Sequence, residues 1–446
     1  RLDVADVALD GGADLVHRDP ERLSWSSTSG GALVPHVIAE AAIAATELVD
    51  VDGDGEFDVV HEVSATGVDL ESKVRKQTDL AIEQARQTAA SEFHAALTAL
   101  LESNERLAFP LHDAPDISII ILLLNQAHLS LACLRALLRE AQSGQAPTFE
   151  IVLVDNGSSD DTAELLRRLD GVRILRNAQN FGFPRGCNQG ARIARGRTLC
   201  LLNNDAVVRP GALNAALATL DSDRSIGAVG GRLIFPGGIL QEAGCMVWSN
   251  GSTLGYGRGW APERGEAMFR RDADFCSGAF LVLGLEAWTA LGGLDEAYSP
   301  AYYEDTDYCL RLLERGLRVV YEPDAVADHY ERGSEARPGD AHALSVRNRK
   351  WFRARHARAL RQWHYPAQNA NAAMARIHRR SQRRSLLVID NEVPLPALGQ
   401  GHPRAHQLLH VALELGWAVS FFGMHHADID WAKFRADISK DIELIA

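Results

Sequence analysis

An α/β architecture with a largely parallel sheet is what this sequence of 446 residues predicts. Two observations predict it. From Asp116 to about Gly333, short apolar runs alternate with amphipathic stretches, the order of strands and helices in a layered sheet. The chain is also 46% hydrophobic and 24% charged, a globular balance rather than a disordered one. Its length exceeds one ordinary domain and suggests two or three.

The elements follow in order. Residues 1–72 form an acidic segment of unreadable fold. Within it Asp50-Val51-Asp52-Gly53-Asp54-Gly55 reads as an acidic turn, because its spacing does not continue to the glutamate of a calcium loop. Over 73–115, Val74, Leu80, Ile82, Ala85, Ala89, Phe93, Leu97 and Leu100 recur at helical spacing, and Pro110 and Pro115 close the segment as a linker. Residues 116–333 hold the alternating unit. Its strands are Ile117–Leu124, Glu150–Val154, Val172–Leu175 and Thr198–Leu202; its helices are Leu129–Glu140, Thr162–Leu169 and one from Gly186. Residues 334–384 read as a basic helical linker. Residues 385–446 open a further β-α-β unit: strand Leu386–Asp390, a loop with Pro394, Pro396, Gly399 and Gly401, then a helix and the strand Trp417–Phe422.

Composition sets exclusions. A membrane-spanning helix needs roughly 18 to 20 apolar residues in a row, and the best run, Ile119–Leu124, is far shorter. The start lacks the layout of a signal peptide and begins with Arg1, which reads as a piece of a longer protein. Six cysteines scattered without C-x-x-C pairs argue against a zinc site or a disulfide framework, and favour a reducing, cytoplasmic setting. The net charge is −13. From Arg1 to Asp116 there are 8 Lys/Arg against 23 Asp/Glu, whereas Arg332 to Arg384 has 14 against 2. The acidic whole argues against nucleic-acid binding. The basic stretch reads either as a solvated linker or as a surface that approaches anionic lipid from the inner face of a membrane.

Ligands of open α/β sheets lie beyond the carboxyl ends of the strands, so the residues there are the candidates. The first strand ends in Asn125. The second ends in Asp155-Asn156-Gly157-Ser158-Ser159-Asp160, where Asp155 suits a base or ribose and the turn exposes backbone amides; the plainer reading is a strand end with helix caps from Ser159 or Asp160. The third leads into Asn180-Phe181-Gly182-Phe183-Pro184-Arg185, whose glycines and following helix start suit a diphosphate. The fourth ends in Asn203-Asn204-Asp205, a carboxylate beside a phosphate-sized loop, which suits Mg²⁺ or Mn²⁺ or, more plainly, an Asn/Asp turn. Later, Glu304 and Asp305 stand side by side, where repulsion raises an acid's pKa toward that of a general base. Asp307 and Arg311 are four apart and pair if helical. His329 follows a strand-like run and serves either as a structural histidine or as a ligand.

This order resembles the inverting family 2 glycosyltransferases and their GT-A fold. The resemblance covers Asp116 to Gly333 and rests on Val154-Asp155-Asn156-Gly157-Ser158, Asn180-Phe181-Gly182-Phe183, Leu202-Asn203-Asn204-Asp205 and Cys276-Ser277-Gly278-Ala279. Its most specific part is Gly292-Gly293-Leu294-Asp295-Glu296 with Glu304-Asp305, Asp307 and Arg311. It implies transfer of a sugar from a nucleoside-diphosphate sugar to a hydroxyl acceptor, a glycan or lipid-linked glycan, in polysaccharide or cell-surface glycan synthesis. By it Asp305 is the catalytic base with Glu304 beside it, and Asp205 and His329 hold the Mg²⁺ or Mn²⁺. Asn125, Asp155, Asn180 and Gly182 bind the nucleotide sugar, together with Arg185, Asn188, Asn203 and Asn204. Ser277, Gly278 and Ala279 line the acceptor side. Two positions depart from the family pattern: the first strand ends Leu122-Leu123-Leu124-Asn125 where Pro-x-Tyr-Asn is usual, and Asn203 stands at the first position of the D-x-D element. Those departures keep a catalytically silent scaffold as an alternative. A sugar-phosphate nucleotidyltransferase is a further one, weakened by the lack of a basic glycine-rich loop after the first strand. After Arg384 the chain resembles the truncated start of a GT-B glycosyltransferase, which implies further domains of the same chain.

Overall fold

In a computed structural model of the chain, the described residues are six short strands between 2 and 62, then 70–331, 338–367, 372, 375–376, 384–399, 401–424, 434–435 and 437–445. Side chains are described from residue 78 onward, and not at 338–340. The first six strands form a four-stranded antiparallel sheet and a separate two-stranded one, so the acidic segment contains β-structure that its composition does not announce. The acidic turn at 50–55 lies outside the described residues.

Helix α1, Leu70–Glu102, is the long helix predicted from periodicity. Its Leu97 and Leu100 are buried in the main core, whereas Leu80 is 57% exposed. The alternating unit then follows as β1 (Ile117–Leu123), α2 (Ala127–Gln142), β2 (Phe149–Asp155), α3 (Thr162–Arg167), β3 (Arg173–Arg176), α4 (Phe183–Ile193) and β4 (Thr198–Asn203). Each strand falls within a residue or two of its sequence prediction. After them come β5 (Ala206–Val208), α5 (Ala212–Ser222), β6 (Ile226–Phe235), β7 (Ile239–Ala243), β8 (Phe280–Gly284), α6 (Leu285–Leu291), α7 (Glu304–Glu314) and β9 (Arg318–His329).

The central sheet has the order β3-β2-β1-β4-β8-β6-β9-β5, with β7 paired to β6 and Arg271–Asp272 to β9. The expectation of a largely parallel sheet holds for its first half and, beyond it, for the β6–β9 pair. β3, β2, β1 and β4 are all parallel, but β8 pairs antiparallel with both β4 and β6, and β5 antiparallel with β9. The sheet is therefore mixed. The β6–β7 hairpin turns at Pro236-Gly237-Gly238, a short connection that only antiparallel strands permit.

Successive residues of β1 face opposite layers, as the pleat requires. Ile119 and Ile121 join α2, α3 and α5 in one core, while Ile120 joins α4, α6 and α7 in the other. Each such side chain contributes about 1.5–3 kcal/mol of burial. Gly190 lets α4 lie close on β1, since a Cβ there would meet Ile120 Cγ2 at 2.7 Å.

Beyond Gly333 the stretch expected as a basic helical linker is helical and packs against the alternating unit. Helices α8 (Pro338–Arg355) and α9 (Ala357–Trp363) fold back on the alternating unit, burying Asn348, Phe352, His356 and Leu360. The reason is an apolar and polar stripe at four-residue spacing, masked in the sequence by the surrounding arginines. The final segment gives β10 (Ser385–Asp390), α10 (His402–Glu414), β11 (Ala418–Gly423) and β12 (Ile442–Ile445), a parallel three-stranded sheet with its own small core. Lys440 contacts Glu322 and Asp324, and Arg270 contacts Asp441, joining this segment to β9.

Candidate active site

The chain leaves β1 toward β2 on one side, and β4 lies on the other, so the strand order reverses at β1. In open α/β sheets the crevice beyond such a reversal receives ligands. Three of the sequence candidates stand at the ends of the strands flanking it: Asn125, Asp155 and Asn203.

The loop after β2 is tied to the loop after β1. Asn125 and Gln126 take left-handed backbone (φ 57 and 58), which turns the chain sharply into α2. The Asn125 N–H donates to Ser158 Oγ at 2.9 Å, and its Oδ1 accepts from the Ser159 N–H at 2.8 Å. Asp155 Oδ1 accepts from the Ser158 N–H at 3.0 Å. Asp160 accepts from the first N–H of α2, at 2.9 Å. Of the two residues expected as helix caps, Asp160 accepts from helix N-terminal amides, at Ala127 and Thr162, whereas Ser159 serves as a cross-loop contact.

Asn156, part of the sequence motif but not among the expected binding residues, organises the loop after β3. It is buried, donates to Asn180 Oδ1 at 2.8 Å, and accepts from Asn177 Nδ2 and the Phe181 N–H. Asn180 in turn accepts from the Gly182 N–H at 2.8 Å. Gly182 has φ 85, and a Cβ there would meet Pro300 Cα at 2.8 Å, so glycine is required both by conformation and by close approach. The neighbouring Phe183 N–H donates to Pro300 O at 2.6 Å. Arg185 is exposed, its guanidinium 4.4 Å over the Phe181 ring.

Two expected donor contacts are turned to other work. Both ends of the Asn188 amide bond the backbone of Leu294, at 2.9 and 3.0 Å, which links α4 to the Gly292–Leu294 turn. Asn204 donates to Ser130 Oγ on α2 at 3.0 Å and is buried.

Asp205 and His329 do come together. β5 pairs with the end of β9, Ala206 opposite His329. This sets Asp205 Oδ1 3.2 Å from His329 Nε2, with Asn203 Nδ2 3.3 Å from the same nitrogen. His329 Nδ1 lies 2.9 Å from Gln241 Oε1, which leaves Nε2 as the ring's ligand atom. Burial pushes the imidazole's pKa down, but the carboxylates of Asp205, Glu331 and Glu242 outweigh it and hold it above its ordinary value. A divalent cation fits this pair: the carboxylate oxygen and ring nitrogen face each other, with a fixed tautomer behind. Among the described residues no three His, Cys, Asp or Glu side chains form a full cage. One carboxylate and one imidazole would leave the other positions to water and substrate phosphates, the usual arrangement for Mg²⁺.

The acidic pair opens α7. Tyr302 and Tyr303 both take left-handed backbone, φ 78 and 73, a conformation that bulky side chains adopt only when their surroundings impose it. Asp305 Oδ2 accepts from the Gly278 N–H at 3.0 Å, and Oδ1 from the Thr306 N–H at 2.6 Å. Ala279 O, next to Gly278, accepts from the Asn203 N–H at 3.0 Å, while Ser277 Oγ accepts from the Ala279 N–H at 3.2 Å. A continuous path therefore runs from Asp305 through Gly278 and Ala279 to Asn203, His329 and Asp205. Burial raises the Asp305 acid above its usual value, and Glu304 rises further under burial and the Asp305 charge. Glu304 Oε2 has no hydrogen-bond partner among the described residues.

Asp307 is fully buried and serves the scaffold. It meets Arg311 at 2.7 Å, His356 at 2.9 Å, the Tyr298 hydroxyl at 3.1 Å and Arg355 at 3.3 Å. Arg311 continues to the carbonyls of Leu291 and Gly293. The specific Gly-Gly-Leu-Asp to Arg311 stretch is thus one bonded unit. Gln241 and Glu242 were not singled out in the sequence, because neither sits in a recognisable motif and their strand is placed only by the β6–β7 hairpin. Burial pushes Glu242 up to about 7, with Cys245 and His329 pulling it down and the Asp305 charge adding to the rise.

Residues 118–274 match the family described as Glycosyl transferase family 2. An uncharacterised protein, y4gI, of Sinorhizobium fredii is 30% identical over 287 residues, covering 61% of this chain and 30% of that one. The O-antigen biosynthesis protein RfbC of Myxococcus xanthus is 30% identical over 239 residues, 51% of this chain and 18% of that one. The chain thus spans less than a third of either relative. Among solved structures, GalNAc-T7 with UDP, GalNAc and Mn²⁺ aligns at a TM-score of 0.45 and 14% identity, over 56% of this chain and 50% of that one.

Proposed function

We propose that the chain transfers a sugar, with inversion, from a nucleoside-diphosphate sugar to a hydroxyl of a glycan or lipid-linked glycan. The observation that carries this is the bonded path from Asp305 to the Asp205–His329 pair, which joins an acid of raised pKa to a cation-fitting pair beside the strand-order reversal. The family match over 118–274 and the likeness to an O-antigen biosynthesis protein support the class of reaction and the setting.

Asp155 and the 156–159 turn hold the base and ribose, and the 180–185 loop with the start of α4 meets the diphosphate. Gly278 and Thr306 fix the Asp305 carboxylate by its two oxygens. Asp305 removes the proton of the acceptor hydroxyl as that oxygen bonds to the anomeric carbon. The bond to the diphosphate breaks in the same displacement, which inverts the centre. Burial, and then the Asp305 charge, hold the Glu304 acid above its ordinary value, which favours its neutral form beside the base. Asp205 and His329 are the residues that would hold Mg²⁺ or Mn²⁺. When bound, that cation offsets the charge growing on the nucleoside diphosphate.

The setting we propose is cytoplasmic, with peripheral contact at the inner membrane face. Among the described residues no helix is long and apolar enough to cross a membrane. The outer faces of α8 and α9 expose Lys350, Arg353, Arg358 and Arg361, with Trp351 53% and Trp363 36% exposed. Basic groups with tryptophan suit an anionic headgroup layer. Flotation with phosphatidylglycerol vesicles tests this; equal flotation with neutral vesicles contradicts it. Residues 385–446 we read as the start of a GT-B-type unit, on the strength of their parallel β-α-β order and Pro/Gly loop.

Incubation with Mn²⁺, UDP-, dTDP-, GDP- and CDP-sugars and a glycan acceptor tests the activity. One donor class should yield an inverted product. Absence of both transfer and donor hydrolysis across the panel contradicts the reading.

A further inference from the structure

The segment read as a linker reaches the catalytic loop with one buried side chain. Asn348 on α8 is 2% exposed. Its Nδ2 donates to the carbonyls of Tyr298, Ala301 and Tyr302 at 2.8, 2.9 and 2.8 Å, and its Oδ1 accepts from Arg347 Nε at 2.9 Å. Three acceptors on one side and a donor on the other settle which end of the amide is nitrogen. The contacts are long-range, 46 to 50 residues apart, so they belong to the tertiary structure.

What they hold is the strained part of the site. The carbonyl of Tyr302 precedes Tyr303, and both tyrosines are left-handed at φ 78 and 73. Two residues further is Asp305. Neighbouring groups of α8 grip the same loop: Arg347 donates to Ser299 O at 2.5 Å, and Phe352 packs 5.3 Å from the Tyr303 ring. Left-handed backbone at two bulky residues persists only where the surroundings over-determine it. Without the amide donors the buried Tyr298 carbonyl and the partly buried carbonyls of Ala301 and Tyr302 would lose these partners, and the loop then has reason to relax.

We infer that Asn348 is a positioning residue that holds the Tyr298–Tyr303 backbone and thereby aims the Asp305 carboxylate at the reacting hydroxyl. Its role in turnover rests on the transferase reading; its hold on the loop does not. The hydrogen bonds of Asn348 do not run to the donor loops after β1 and β2, and only the 180–185 loop meets the held segment, at Pro300, so its loss should act on kcat more than on donor affinity.

Asn348→Leu keeps the size and removes the donors. It should lower kcat at least tenfold, with the rise in donor KM several-fold smaller than that fall and the Mn²⁺-dependent thermal shift by nucleotide retained. Hydrogen exchange of the Gly278 amide and of 299–305 should rise at least tenfold, while β1, β2 and β4 stay protected. Asn348→Asp, equal in shape, should behave the same; if Asn348→Leu fails to fold, it carries the test, and Arg347→Ala should give a smaller change in the same direction. Variants with unchanged exchange at 278 and 299–305 overturn the inference. So does a fall in melting temperature with kcat and exchange within twofold. If the wild type itself transfers nothing from the donor panel, the transferase reading falls and the exchange result still decides for or against Asn348.

Discussion

The two halves of the central sheet hold their functional side chains by different means. In the β1–β4 half, the site residues are brought together by the parallel strands themselves: Asn125, Asp155 and Asn203 each end or follow a strand, and register aligns them. In the β5–α8 half, the contacts that join one element to another link residues far apart in sequence. Asp205 meets His329 across an antiparallel pairing, Asp305 meets Gly278 across 27 residues, and Asn348 reaches back further. The first half offers backbone amides and left-handed turns for a ligand. The second concentrates buried charge, where small displacements change protonation. Substrate binding and proton transfer should therefore separate between the halves when each is perturbed.

The largest effect should come from the acid half. Asp305→Asn is expected to lower kcat by roughly 10²–10⁴, measured by sugar transfer, with nucleotide binding retained. Because burial holds the Asp305 acid above its usual value, wild-type activity should fall as pH drops through that raised pKa, where the base becomes protonated. A flat acidic limb would assign proton removal elsewhere.

Asp307→Ala should come next, and act on stability. Removing one partner of a buried ion-pair cluster costs about 3–5 kcal/mol, readable by urea unfolding. Burial pushes this acid up, but His356, Arg311 and Arg355 more than reverse it, so its pKa is held below the ordinary value. A depressed folded pKa means the stabilisation is complete above roughly pH 4 and is lost as pH falls through the folded value. Asp307→Asn should remove that acid sensitivity.

Gly182→Ala probes the seam where the halves touch, at Pro300. A strained φ and the close Pro300 contact together should cost about 1–3 kcal/mol and raise donor KM. The smallest effect should be in the donor half. Arg185→Ala, at an exposed site, should weaken donor binding about fivefold, roughly 1 kcal/mol, with kcat unchanged. A loss of kcat in Arg185→Ala without a change in KM would erase the division between the halves.

The same division decides what the sequence makes legible. Strands β1, β2 and β4 are short apolar runs with polar ends, so their boundaries and the residues beyond them can be read directly. Asp307 and Arg311 pair as their spacing on a helix predicts. The roles of Asn188 and Asn204 cannot be read this way, because an asparagine beside a glycine-rich loop or after a strand looks the same whether it faces a ligand, Leu294 or Ser130. Gln241 and Glu242 depend on a hairpin register that no local pattern announces. Asn348 is a lone amide among arginines, and only the packing of α8 on the 298–303 loop gives it meaning. The N-terminal strands were obscured by acidic composition.

The central claim is that Asp205 and His329 bind a cation with the donor diphosphate while Asp305 acts apart from binding. Thermal unfolding of wild type, Asp205→Ala and Asp305→Asn with UDP, dTDP, GDP and CDP, each with and without Mn²⁺, tests it most directly. At 100 times its dissociation constant a ligand adds about 2.7 kcal/mol to the folded state. The account predicts a Mn²⁺-dependent shift with one nucleotide in wild type and Asp305→Asn, and none in Asp205→Ala. An equal shift in Asp205→Ala, or no shift with any nucleotide in the wild type, would contradict it.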